Sequence, residues 1–115
     1  MKIKENKVTN IEEDVVFNGK FKFEGLLTVK GRLNGEIEGK ESKIVIEKEG
    51  EINGQLKAQI VDNYGNLVGK ATMDEYNLFN HGTSDAEIQV KNIMIEKGAV
   101  FNGTCKMVKK KQNDG

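Results

Sequence analysis

Few residues in this chain could carry chemistry alone. There is one His and one Cys. His81 stands beside Gly82 at the end of a repeat, where an exposed corner is expected rather than a pH switch or ligand. One His cannot form a three-His metal centre within a chain. Cys105 lies two residues past a recurring Gly, at an inward position, and a buried, inert thiol is expected there. Nothing beside it would lower its pKa. A lone Cys also excludes a disulfide scaffold or a Cys-based zinc site. Carboxylates cluster at Glu12-Glu13-Asp14 and at Asp74-Glu75. Neither has calcium-loop spacing, so solvated turns are expected. Gly19-Lys20 and Gly69-Lys70 lack the rest of a phosphate-binding loop. Asn102-Gly103-Thr104 spells a glycosylation acceptor, which means little without export. No cofactor, metal or small-molecule substrate is expected.

What remains is the pattern that positions these residues. The chain has 115 residues, enough for one domain, with 37% hydrophobic and 6% aromatic residues. No run of about 18 apolar residues could span a membrane. The opening segment lacks the apolar stretch of a signal peptide, and a cytoplasmic location is expected. Eighteen basic residues balance eighteen acidic ones, which argues against nucleic acid as a direct partner. The balance hides a split. Residues 8–105 are net acidic, while the flanks carry Lys2, Lys4 and Lys7 on one side and Lys109, Lys110 and Lys111 on the other. These lysines are candidates for contact with an anionic surface such as a membrane, each worth about 1 kcal/mol. Solvated tails are the plainer reading, over 1–10 and 108–115.

Thirteen Gly and no Pro is an unusual pairing, and the Gly recur. Aligned on Gly19, Gly35, Gly54, Gly69, Ala86 and Gly103, the steps are 16, 19, 15, 17 and 17 residues. Two residues past each anchor stand Phe21, Ile37, Leu56, Ala71, Ile88 and Cys105. Four past it stand Phe23, Gly39, Ala58, Met73, Val90 and Met107. Charged and amide residues alternate with them, which is the signature of strands with one buried face. A second apolar pair repeats as Leu27/Val29, Ile44/Ile46, Ile60/Asp62, Tyr76/Leu78 and Ile93/Ile95. Asp62 breaks that pattern, unless a bulge turns Val61 inward. No helix period appears.

Two architectures compete. Asn-Gly, a strong hairpin signal, occurs four times and favours an antiparallel meander. A meander does not require the same residue class at the same offset in every repeat. A coil stacking each repeat on the last does, with equivalent positions about 4.8 Å apart. The expectation is an all-β fold: one parallel β-helix (solenoid) of about six turns, about 17 residues per turn and triangular cross-section, with its core over residues 11–107. Left-handed β-helices keep strict six-residue repeats, which these steps do not, so a right-handed coil is expected.

Three stretches then resemble a known family. VFNGKFKFEGLLTVKGRLNGEIEG, IVIEKEGEINGQLKAQ and IMIEKGAVFNGTCKM are similar, in that order, to turns of the bactofilins, bacterial polymer-forming cytoskeletal proteins. The likeness runs over about residues 11–107. It implies a right-handed β-helix with short tails and filaments formed without nucleotide. It implies roles in cell shape, envelope growth or spatial organisation. By resemblance alone, a cell-wall hydrolase or another envelope protein is a candidate partner, and the inner face of the cytoplasmic membrane a candidate location. The Ser84-Asp85-Ala86 turn departs from the family by lacking the anchor Gly.

The residues support self-association independently. A solenoid has two open edges, which monomeric solenoids block with caps. No cap pattern precedes Val16 or follows Met107, and Pro is absent. The expected first rung carries Val16, Phe17, Phe21 and Phe23, and the last Val100, Phe101, Cys105 and Met107. Stacking one end on another would hide both sets and extend the ladder. Like-end contacts would give a non-polar filament and unlike-end contacts a polar one; the resemblance favours the first. The expected function is thus a non-enzymatic scaffold whose main partner is itself. The alternatives are a hexapeptide-transferase-like enzyme, disfavoured by the single His, and a monomeric binding platform.

Overall fold

Alternating apolar and charged residues make strands here, and every strand pairs parallel to its neighbours. The computed structural model describes residues 7–108, of which 76% are strand and none helix. The strands are β1 (Val8–Ile11), β2 (Val16–Val29), β3 (Arg32–Ile46), β4 (Glu51–Lys57), β5 (Ile60–Asn63), β6 (Asn66–Leu78), β7 (Thr83–Ile95) and β8 (Val100–Met107). They stack as one sheet in chain order, with β4 and β5 together lying between β3 and β6. The chain is a β-solenoid of about six turns with roughly 17 residues per turn. Parallel pairing throughout excludes the meander.

The Gly anchors fall side by side. Gly19, Gly35, Gly54, Gly69, Ala86 and Gly103 form one continuous ladder. They are bends inside strands rather than loops between them. Gly35 has φ +123°, and a Cβ there would sit on the carbonyl oxygen of Gly19 in the turn below. Ala86 keeps the register without a positive φ.

The uneven steps have two sources. From the anchor to the end of the arm, the turns count 10, 11, 9, 9 and 9 residues, ending at Val29, Ile46, Asn63, Leu78 and Ile95. From there to the next anchor they count 6, 8, 6, 8 and 8. The longest arm contains Glu41, which bulges at φ 47° beside the register shift at Glu24/Gly25. The strands absorb almost none of the variation. Corners and one bulge absorb it, and the ladders stay in step.

Inside, like stacks on like. Leu33, Ile52 and Leu67 form one buried ladder, and Ile37, Leu56, Ala71 and Ile88 another. Leu27, Ile44, Val61 and Tyr76 form a third. The inward pair after the third anchor, Gly54, is therefore Val61/Asn63, not Ile60/Asp62. Pairing with Ile44 and Ile46 sets the facing there, after Ala58 and Gln59 interrupt the strand. It leaves Asp62 outside, where its carboxylate meets Lys43 Nζ at 3.3 Å and accepts from Asn77 Nδ2 at 2.9 Å. The alternative register would bury that charge. Asn63 is instead the buried polar member of its ladder.

Two corners differ in kind. Four-residue corners close on their own backbone, as where Gly50 N donates to Glu47 O at 2.8 Å and Gly82 N to Phe79 O at 2.8 Å. The exposed His81, at φ 74°, belongs to the latter. Tyr64 and Phe79 stack across neighbouring corners, ring centroids 4.5 Å apart.

The coil begins earlier than the expected boundary at residue 11. Val8–Ile11 pairs with Leu26–Val29, so residues 8–10 are strand rather than tail. Lys2, Lys4, Lys109, Lys110 and Lys111 lie outside the described residues.

Candidate functional site

A coil buries a side chain by covering it with the next turn. Where the turns stop, inward positions look outward. The two ends follow from this rule alone.

At the N-terminal end β1 covers only Leu26–Val29 of β2. Among the described residues no strand lies against the outer edge of Val16–Glu24. Phe17, Phe21 and Phe23 project there, half-buried against the core. Phe17 and Phe21 meet edge to face at 5.3 Å, and Phe21 and Phe23 lie 6.1 Å apart. Val16 is 59% exposed. A Cβ at Gly19 would meet nothing nearer than Phe17 Cε1 at 4.0 Å, whereas its equivalents in the turns above are blocked. Lys7 is held by Glu24, with Nζ 2.9 Å from Oε1, at the start of the coil.

At the C-terminal end β8 covers only the first part of β7. Phe101 is half-buried, packed on the core. Val100 and Met107 are 49% and 51% exposed. Cys105 is exposed too, so the expected buried thiol is corrected. It occupies the inward ladder above Ile88, but among the described residues no further turn closes over it. Its Sγ lies 3.9 Å from Met107 Sδ.

The eight apolar residues expected at the ends divide between two faces, four on each. Sequence reasoning missed two neighbours on the second face. Ile93 and Ile95 follow Tyr76 and Leu78 in their ladders, yet Ile95 is 48% exposed because β8 stops before reaching it. Their signal was present: the apolar pair repeats, and Ile93/Ile95 is its last occurrence among the described residues.

Residues 9–106 match the family model of the bactofilins, described as polymer-forming cytoskeletal. The chain belongs to the bactofilin family. No curated protein and no solved structure matches it. Membership makes the chain a polymer-forming cytoskeletal protein, and nearly the whole coil carries the match. Among the described residues no helix is long and apolar enough to cross a membrane. The bactofilin match ends at 106, within the open last rung.

Proposed function

We propose that this bactofilin chain assembles end to end into filaments without nucleotide, and that the filament is a scaffold rather than an enzyme. One observation carries the reading: among the described residues, both ends of the coil combine an uncovered strand edge with apolar inward residues. Edge strands of this kind are pairing templates, and burying each Phe adds about 2–3 kcal/mol. The interfaces are Val16, Phe17, Phe21 and Phe23 at one end and Val100, Phe101, Cys105 and Met107 at the other. Ile93 and Ile95 join the second. The cellular work such a filament suits is support of cell shape, envelope growth or spatial organisation. A membrane surface or an envelope enzyme would be a client of the lateral faces or tails, not of the mated ends.

Purified protein, freed of nucleotide, is examined by sedimentation and negative-stain electron microscopy. Filaments one coil wide are expected. A monodisperse monomer or trimer at high concentration would overturn the reading.

A further inference from the structure

We propose that Asn102-Gly103 is a self-modifying site: in the unassembled chain Asn102 converts to aspartate and isoaspartate, and mating of that end prevents the conversion. The protection rests on reading that end as an assembly face.

Asn-Gly occurs four times, at 18–19, 34–35, 53–54 and 102–103. Gly has no side chain to shield its nitrogen, which can attack the side-chain carbonyl carbon of the preceding Asn. The Gly nitrogen gives up its proton, the N–Cγ bond forms, and Nδ2 leaves as ammonia. Water then opens the cyclic imide. Cleavage at Cγ gives aspartate, and cleavage at the main-chain carbonyl gives isoaspartate. Nothing is oxidised or reduced, and water is the only co-reactant. The reaction needs a Gly N–H free of the ladder and a backbone able to bend into the ring.

The fold separates these four copies. Alternate residues of a strand turn their backbone groups to the same neighbour. Val15 O accepts from Arg32 N at 3.0 Å, Gly31 O from Glu51 N at 2.9 Å and Gly50 O from Asn66 N at 3.0 Å. Gly19, Gly35 and Gly54 stand at the same phase, so their amides face β3, β4 and β6. In β8, Val100 N donates to Gly82 O at 3.0 Å and Val108 N to Val90 O at 2.8 Å. Gly103 is out of phase with both and faces away from β7, where no strand lies among the described residues. Asn18 makes the comparison sharp. It too lies on an open edge, yet Gly19 faces β3 and Asn18 Oδ1 accepts from Asn34 Nδ2 at 2.9 Å. Asn102 and Gly103 are both exposed, and β8 is held by one neighbour, so it opens more readily than a strand held by two.

The products would spoil the rung. Asn102 pairs with Asp85 in its ladder. Aspartate at 102 sets two carboxylates side by side, and like charges there weaken a strand pair. Isoaspartate lengthens the backbone by one carbon and throws Cys105 and Met107 out of the inward row. A mated end gives Gly103 N an acceptor and holds β8 on both sides. Unmated ends thus lose competence with age, and mated ends keep it.

Peptide mapping by mass spectrometry, with isoaspartate assayed separately, follows the four sites during mildly alkaline incubation. Dispersed chain, filaments and urea-unfolded chain are compared. In dispersed chain Asn102 should convert about tenfold or more faster than Asn18, Asn34 and Asn53, and filaments should slow it about tenfold. In urea all four should convert at similar rates. Asn102→Asp should raise the filament threshold. Asn102→Gln, whose longer side chain closes the ring poorly, should hold its threshold on ageing while the natural chain loses it. Equal rates at Asn18 and Asn102 in the folded chain overturn the site. An unchanged rate in filaments overturns the protection, and a normal threshold for Asn102→Asp overturns the consequence. Selective conversion at Asn102 in a chain that never forms filaments keeps the site and sinks the end-to-end assembly instead.

Discussion

Asn63 Nδ2 donates to Tyr76 Oη at 3.0 Å across neighbouring turns, and neither side chain reaches solvent. The same amide nitrogen donates to Thr83 O at 3.0 Å, while Asn63 Oδ1 accepts from Gly65 N at 2.8 Å. The two-residue corner Tyr64-Gly65 lacks the internal backbone bond of the longer corners, and the Asn side chain supplies one. Asn63→Ala should therefore cost about 2–3 kcal/mol, since it orphans buried backbone groups as well as opening space. Asn63→Leu, which matches its ladder neighbours Ile46 and Leu78, should cost less. Urea titration of the unassembled chain checks the order.

Burial raises the pKa of Tyr76 from its usual 10.0, with the hydrogen bond from the Asn63 side chain acting against it. The fold thus favours the protonated phenol. That contribution is complete below about pH 10 and is lost as pH rises through the higher folded value. In a Tyr64→Phe chain Tyr76 is the remaining tyrosine. Its tyrosinate absorbance should appear only as the strand circular-dichroism signal disappears. Titration near pH 10 with the fold intact would contradict the burial argument.

Legibility followed the ladders. The anchor at Ala86 was readable without its Gly because Ile88 and Val90 keep the offsets of the other turns. Asn63 was not readable as a core residue. Its facing is decided by pairing with Ile46, while the local sequence offers Ile60 and Val61 equally. Cys105 was placed correctly in its ladder and wrongly in its environment. An inward position is a property of one strand, but burial needs a second turn, and none follows Cys105 among the described residues. The start at Val8 escaped because four residues with only two apolar members carry too little alternation to register.

The Gly ladder separates folding from mating. Gly35→Ala combines a positive φ with a Cβ placed on Gly19 O, and should cost about 3 kcal/mol or more. Gly19→Ala keeps the φ penalty, at +127°, but its Cβ enters open space. About 1–2 kcal/mol is expected for it in the unassembled chain. Its methyl would nevertheless meet any strand laid on that edge, as the equivalent Cβ does in the turns above. A near-native melting curve with impaired filament formation is the expected combination. Normal filaments from Gly19→Ala would remove that edge from the assembly contact.

Phe101→Arg should leave the inner turns folded, because Phe101 pairs with Ser84 on one side only. Losing its burial in a contact, worth about 2–3 kcal/mol, should raise the assembly threshold about thirtyfold or more. Met107→Arg, at a more exposed site, repeats the test with less risk to the fold. Intact filaments of both variants at the wild-type concentration, seen by electron microscopy, would sink the assignment of this end.

Cys105 reports on the same face without a mutation. It shares a ladder with Ile88, which is buried, and differs in having no turn above it among the described residues. A maleimide should label it readily in dispersed protein. In filaments the mating end acts as the missing turn, and labelling should slow about tenfold or more, in the way an amide slows when its strand gains a partner. Protein labelled beforehand should fail to assemble, since the adduct occupies the contact. Labelling that proceeds at one rate in both states would mean that the C-terminal rung stays open in the polymer. The filament would then have to be held by other surfaces of the coil.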